Sequence, residues 1–410
     1  MCGTEQAAPC TCKCKCSAFV PDNGALKATA NNGRLNLSPD SIINLDHGDP
    51  KMFESYWEKM GEKCTVVIPG WRSMSYFSDA GNQCWFLEPQ LAESIRRLHV
   101  VVGNAVAEDR HVVVGNGSSQ LFQAALYAVC SPGGPAPVNV VSAVPYYSCY
   151  PEVTDFLKSG LYQWGGDAHS YNGKDPYVEV VTSPNNPDGF IRESVVKQDQ
   201  GGGHDVAGKL IHDLAYYWPH YTPITKPVDH DIMLFTFSKC TGHAGSRIGW
   251  ALVKDKEVAK KMTKFIELNT IGVSKESQLR AAKIMEVIYQ GYQNFGTPAK
   301  LENFFEYAQC LMAGRWNKLR EVVKNSETFT LPQYPQEYCY FSRQSSQAHP
   351  AFAWLKCNKE EIEDCASFLR RHKILTRSGN RFGTDEKYTR ISMVDREDVF
   401  NLFLKRLSAI

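Results

Sequence analysis

The most reactive-looking stretch is Thr236-Phe237-Ser238-Lys239-Cys240-Thr241-Gly242, where a lysine closes an apolar run and small, hydroxyl-bearing residues follow. Arg247 stands eight residues beyond Lys239, just ahead of the next apolar run. A lysine amine desolvated at a strand end is a nucleophile that can form a Schiff base with a carbonyl compound. Arginine offers a planar two-pronged donor, which together with the Thr236 and Ser238 hydroxyls suits a phosphate. A loop with an ordinary solvated lysine and arginine has the same composition, so this stretch does not decide the chemistry alone.

Three further stretches add to it. Gly115-Asn116-Gly117-Ser118-Ser119-Gln120 sits between the apolar run 111–114 and a helical pattern, where backbone N–H groups and the Ser118 and Ser119 hydroxyls can face an anion. Ser118 as a simple helix cap reads equally well. Neither the Walker lysine pattern nor the dinucleotide spacing is present. Ser183-Pro184-Asn185-Asn186-Pro187-Asp188-Gly189 presents side-chain amides after another strand, or is a turn that these residues favour anyway. Asp213 and Tyr216 supply a carboxylate and a phenol three residues apart. A carboxylate can hold a heteroaromatic N–H, and a phenol can bond a phenolate oxygen. Taken in order, the set is a phosphate loop, amide, carboxylate, phenol, lysine and arginine. Pyridoxal 5'-phosphate requires this set: a lysine Schiff base, an acidic partner for the pyridine nitrogen, and phosphate donors.

The elements that must position these groups are readable from periodicity. Short β-branched runs at 111–114, 138–144, 177–183, 209–213, 232–238 and 248–253 read as strands. Several are apolar on both faces, as strands covered by helices on each side are. Helical spacing is expected over 52–60, 87–98, 120–129, 256–268, 275–289 and 301–325, with a break at Asn294 to Pro298. The remainder alternates short strands (351–355, 388–393) with helices (359–372, 396–407). The fold class expected is α/β: a mostly parallel central sheet in a large domain plus a smaller α+β domain. The divisions expected are a tail at 1–40, a segment at 41–75 joining the small domain, a large cofactor-binding domain at 76–290 and a small domain at 291–410. Gly201 to Gly203 reads as a surface loop.

Composition excludes several other classes. The 410 residues are 43% apolar and 22% charged, ample for a large core. A net charge of +1 gives no basic surplus for a nucleic-acid partner. No run reaches the roughly 18 apolar residues of a membrane span, and the start has no signal-peptide core. A cytoplasmic protein is expected, with a targeting or anchoring segment ahead of this start left open. Fourteen cysteines fall into two groups. Cys2, Cys10, Cys12, Cys14 and Cys16 crowd the tail, as an inert tract, a disulfide-module remnant or a metal tract. The others are scattered without a CxxC pair and read as buried small hydrophobes of a reduced protein. His212, His220, His230 and His243 have no metal-ligand spacing, and no metal is expected. The lysines between 254 and 264 read as a solvated helix face.

The stretches NLDHGDP (44–50), MSYFSD (74–79), SPNNPDG (183–189), YYWPHYTPI (216–224) and LFTFSKCTGHAGSRIGWALVKD (234–255) together resemble the plant alliinase and tryptophan-aminotransferase-related family of fold-type I pyridoxal-phosphate enzymes. NLDHGDP looks like the tryptophan aminotransferase branch of auxin synthesis, whereas Trp71 in PGWRSMSYF is similar to alliinases. The resemblance implies roles by position. Lys239 is the Schiff-base lysine and proton shuttle, Asp213 pairs with the pyridine nitrogen, and Tyr216 and Asn186 bond the phenolic oxygen. Ser118, Ser119, Thr236, Ser238 and Arg247 form the phosphate site, and Tyr147 stacks on the ring. Tyr76 reaches a phosphate in the neighbouring subunit of a homodimer. Arg390 and Gly48 meet the substrate α-carboxylate.

The activity implied is transamination of an amino acid, L-tryptophan giving indole-3-pyruvate, with a 2-oxo acid as acceptor. An alliinase-like carbon–sulfur lyase acting on cysteine sulfoxides uses the same residues and is the alternative. A cofactor fold kept only for binding or assembly is the non-enzymatic reading.

Overall fold

Seven strands rich in valine, isoleucine and aromatics lie side by side: β1 (His111–Gly115), β2 (Val138–Ser142), β3 (Tyr162–Asp167), β4 (Tyr177–Thr182), β5 (Lys209–Asp213), β6 (Ile232–Thr236) and β7 (Gly249–Val253). Their order across the sheet is β1-β7-β6-β5-β4-β2-β3. Only β7 runs antiparallel to its neighbours; the other pairs are parallel. Every residue of β4, β6 and β7 is buried, as expected of strands covered on both faces. The computed structural model describes residues 37–130, 136–172, 175–196, 208–293 and 303–410. The tail cysteines, the expected loop at Gly201 to Gly203 and the expected break at Asn294 to Pro298 lie outside the described residues.

This topology brings the chemistry to one edge. Because β1, β2, β4, β5 and β6 are parallel, their C-terminal ends share an edge, and the antiparallel β7 begins there. Gly115 pairs with Gly249, Gly249 with Thr236, Asp213 with Leu234, and Thr182 with Asp213. The edge therefore carries the loop after β1, the amide turn after β4, Asp213, the Lys239 turn and Arg247. Ligands of open α/β sheets bind at this edge.

A second, antiparallel sheet of four strands has the order Arg377–Ser378, Tyr388–Ser392, Phe352–Cys357, Phe329–Thr330. The short strand Ile43–Asn44 pairs in parallel with Ile374–Leu375, so residues just ahead of Gly48 are tied to this C-terminal part. Beneath the large sheet, Trp218, Phe235 and Trp250 pack around His99. Its Nε2 accepts the Trp250 indole N–H at 3.0 Å, and its Nδ1 lies 2.8 Å from the Asn104 side-chain oxygen.

Four expectations need correction. The strand expected over 232–238 stops at Thr236, and Phe237–Cys240 is a helical turn. The Thr236 hydroxyl accepts the Ser238 N–H at 3.3 Å and so caps that turn. Strand β3 was not among the expected strands; Gly165 and Gly166 interrupt its apolar pattern, and Gly166 takes φ +90° inside an edge strand. The helix expected from Lys359 begins only at Cys365, since Asp364 caps it by accepting the N–H groups of Ala366 and Ser367. Finally, Cys357 and Cys365, expected to be free thiols, are joined by a disulfide with Cα atoms 5.7 Å apart. Strand Phe352–Cys357 ends facing the start of that helix. Sequence spacing does not reveal this.

Candidate active site

Lys239 sits on the capped turn at the end of β6, with its backbone fixed and its half-buried side chain reaching across the edge. Its Nζ donates to the carbonyl of Gly48, in the N-terminal segment. Burial, then the charges of Arg390 and Arg247, push the amine down from the usual 10.5 to about 8, against an opposing pull from Asp49. Beneath it, His220 donates from Nε2 to the Lys239 carbonyl at 3.2 Å, and burial pushes that imidazole down to about 3, so it is neutral at pH 7. The amine lies 5.9 Å from the centre of the Tyr216 ring.

Asp213 ends β5. Its Oδ2 accepts the Tyr150 phenol at 2.8 Å and its Oδ1 accepts the Ala215 N–H at 3.1 Å. Burial raises the carboxyl, and these two donors oppose the rise. The Tyr150 oxygen also lies 2.7 Å from the Thr182 hydroxyl at the end of β4. Tyr147, Tyr216, Asp213 and Arg390 act on one another electrostatically, so they form one cluster. Burial pushes both Tyr147 and Tyr216 phenols up, which keeps them protonated.

Arg390, on Tyr388–Ser392, is only 2% exposed. It donates to the Asn186 side-chain oxygen at 2.9 Å and to the Asp46 carbonyl at 2.6 Å. Its Nε finds no partner among the described residues. Burial, then the neighbouring Arg377, push it down to about 10, still a cation at pH 7. Arg377 donates to the Asp46 carboxylate and, at 2.9 Å, to Ser148. Burial works to raise Asp46, and the Arg377 bond and charge overcome it, leaving that carboxyl below its usual range.

The loop after β1 forms the other end of the site. Gly117 takes φ +80°, a backbone that glycine adopts without strain, and Ser118 opens the helix Ser118–Val129. A Cβ on Gly117 would lie 2.5 Å from Arg247 Nη2, and one on Gly249 would lie 2.8 Å from Ser118 N. Both glycines thus let the loop, β7 and the arginine close up. Arg247 Nη1 donates to Ala244 O at 3.0 Å and Nη2 to Asn116 O at 3.4 Å, and the guanidinium stays exposed beside the helix start.

Among the residues expected at a site, Gly48, Tyr147, Asn186, Asp213, Tyr216, Thr236, Ser238, Lys239 and Arg390 gather at one sheet edge. Ser118, Ser119 and Arg247 lie at its loop end. Tyr76 is not brought in: it is 70% exposed, in a shallow depression with Ser73, Ser75 and Thr270 to Glu276. The four histidines show no metal grouping among the described residues.

A family profile described as Allinase matches residues 43–410. The chain is 55% identical over 390 residues to tryptophan aminotransferase-related protein 2 of Oryza sativa subsp. japonica, covering 92% of this chain and 75% of that protein. The chain belongs to the alliinase and tryptophan aminotransferase-related family. Alliin lyase of Allium cepa is 38% identical over 367 residues, covering 86% of this chain and 73% of that protein. The multiple substrate aminotransferase of Thermococcus profundus superposes with a TM-score of 0.62 at 14% identity, covering 90% of this chain and 91% of that one. That likeness bears on the fold alone, which is the fold-type I arrangement. No helix among the described residues is long and apolar enough to cross a membrane.

Within this family site, sequence reasoning passed over four residues: Tyr150 on Asp213, Asp46 and Arg377 beside Arg390, and Phe352. Tyr150 lay three residues after Tyr147 in a tyrosine-rich stretch, a usable but ambiguous signal. Arg377 and Phe352 are brought in only by strand pairing of the second sheet and had no local signal.

Proposed function

We propose that this protein is a pyridoxal-phosphate aminotransferase that converts L-tryptophan and a 2-oxo acid to indole-3-pyruvate and the matching amino acid. The observation that carries the reading is the Lys239 amine, held at the sheet edge against the Gly48 carbonyl within the field of Arg390, with its pKa lowered to about 8. The residues fit the cofactor chemically. A helix N-terminus with two serines, the glycine cradle and Arg247 suit its phosphate. Asp213, acceptor-rich and buried, suits the pyridine N–H, and Tyr216 and Asn186 suit the phenolic oxygen. Arg390 Nε is a buried donor without a partner among the described residues, and a substrate α-carboxylate would supply one.

When bound, the cofactor supplies an electron sink for charge developing at the substrate α-carbon. The protein does the rest. Arg390 holds the α-carboxylate, with Gly48 beside it. Lys239, readily neutral because of its lowered pKa, would take the α-proton as general base and hand it on to the cofactor's reacting carbon, not back to the α-carbon. Asp213 keeps the pyridine nitrogen protonated, and Tyr147 packs on the ring. The exposed Trp71, Met74, Tyr76 and Phe77 support a homodimer in which Tyr76 reaches the neighbouring phosphate loop.

A second reading, an alliinase-like carbon–sulfur lyase, is favoured by the match to alliin lyase. The two are separated by supplying L-tryptophan with and without pyruvate or 2-oxoglutarate. The aminotransferase makes indole-3-pyruvate only with the acceptor. Pyruvate and ammonia released from a cysteine sulfoxide without any acceptor would reverse the assignment.

A further inference from the structure

Phe352 touches three parts of the site and belongs to none of the motifs that define it. It is the first residue of Phe352–Cys357 and is 4% exposed. It pairs with Ser392 on the neighbouring strand, so Arg390 is its diagonal neighbour on the same face. The guanidinium carbon of Arg390 lies 4.0 Å from the Phe352 ring centroid, nearer than the 5.2 Å to the Phe382 ring. The Tyr216 ring meets Phe352 edge-on at 5.8 Å. At Gly48, a Cβ would lie 2.6 Å from Phe352 Cζ, so the para position of the ring abuts the segment whose carbonyl takes the Lys239 amine.

The geometry has a chemical consequence. A guanidinium has five N–H donors, and a carboxylate ligand needs two on one edge. A protein carboxylate holding Arg390 would consume those donors. An aromatic face attracts the cation through its ring quadrupole and uses none of them. Two N–H groups go to Asn186 and the Asp46 carbonyl, and Nε stays free.

We propose that Phe352 is a positioning residue: its ring face fixes the Arg390 guanidinium without consuming any of its N–H donors, and its para edge sets Gly48 against Lys239. It thereby fixes the spacing between carboxylate grip and amine, and makes the site selective for ligands bearing an α-carboxylate. The proposal rests on Arg390 being the carboxylate grip.

Two substitutions separate the two edges of the ring. Phe352→Leu keeps apolar bulk and removes the face. Phe352→Tyr keeps the face and drives an oxygen toward Gly48. The probes are indole-3-propionate, a carboxylate with no amine, and 3-methylindole, which lacks the carboxylate, each titrated calorimetrically into cofactor-loaded protein. Phe352→Leu removes the para edge along with the face, so it is expected to weaken indole-3-propionate about 10-fold, leave 3-methylindole within about twofold, and both raise KM for L-tryptophan and lower kcat. Phe352→Tyr is expected to hold indole-3-propionate within about threefold while shifting the pH midpoint for acetylation of the Lys239 amine by acetic anhydride in cofactor-free protein. Should Phe352→Leu not fold, Phe352→Met carries the same expectation.

Undiminished indole-3-propionate binding in the leucine or methionine variant overturns the proposal. So does equal weakening of both probes, which marks loose packing. If the unaltered protein itself binds indole-3-propionate no more tightly than 3-methylindole, the carboxylate role of Arg390 fails, and the proposal falls with it.

Discussion

In the cofactor-free protein, Lys239 should titrate near pH 8 instead of 10.5. The neutral fraction at pH 7 then rises from roughly 0.03% to roughly 10%, an increase of about 300-fold. Competitive acetylation with acetic anhydride between about pH 6 and 11, read by peptide mass spectrometry, gives the midpoint directly. Exposed Lys260 and Lys318 serve as internal references. Arg390→Gln removes a cation that depresses the amine, so the midpoint should move up; Asp49→Asn removes an opposing anion, so it should move down. The same shift has a stability consequence. Between pH 8 and 10.5 the unfolded chain binds more protons at this lysine than the folded one, so folding stability should rise with pH across that window. Below pH 8 the cost is present in full, at most about 3 kcal/mol, because the side chain keeps some contact with solvent. Lys239→Met should therefore stabilise the cofactor-free protein at pH 7, with the gain fading toward pH 10.5. A Lys239 midpoint equal to that of the surface lysines, or a downward move in Arg390→Gln, refutes the reasoning.

Two further outcomes follow from the same site. Tyr150→Phe removes a donor that lowers Asp213, so the carboxyl should rise and the acid limb of the pH–rate profile should move upward; an unmoved limb means Tyr150 is not coupled to Asp213. Gly117→Ala forces a Cβ to within 2.5 Å of Arg247 Nη2 at φ +80°, and should weaken cofactor binding about 10-fold or more, read by equilibrium dialysis. Unchanged affinity would show that the loop does not carry the phosphate.

The sheet edge was legible because apolar runs stop where polar residues begin. The ends of β1, β4 and β5, read at 114, 183 and 213, fall within one residue of the observed Gly115, Thr182 and Asp213, and the polar residues after them then had to share an edge. The turn at Lys239 was misread because a β-branched, aromatic run passes through Thr236, and only the hydroxyl cap on Ser238 shows that the strand has ended. Phe352 and Arg377 were invisible for a different reason. Both reach the site through pairing of strands distant in sequence, and a phenylalanine in a core strand looks alike whether it faces an arginine or a leucine. The disulfide between Cys357 and Cys365 depends likewise on where a strand ends and a capped helix begins.

The central claim is that Lys239 is the residue to which pyridoxal phosphate attaches. Borohydride reduction of the protein purified with its cofactor, followed by protease digestion and mass mapping, tests it most directly. The account expects the yellow absorbance to vanish and the reduced cofactor's mass to appear on the peptide carrying Lys239, and on no other lysine. The mass on a different lysine, or an unlabelled Lys239 after the absorbance is lost, would contradict it.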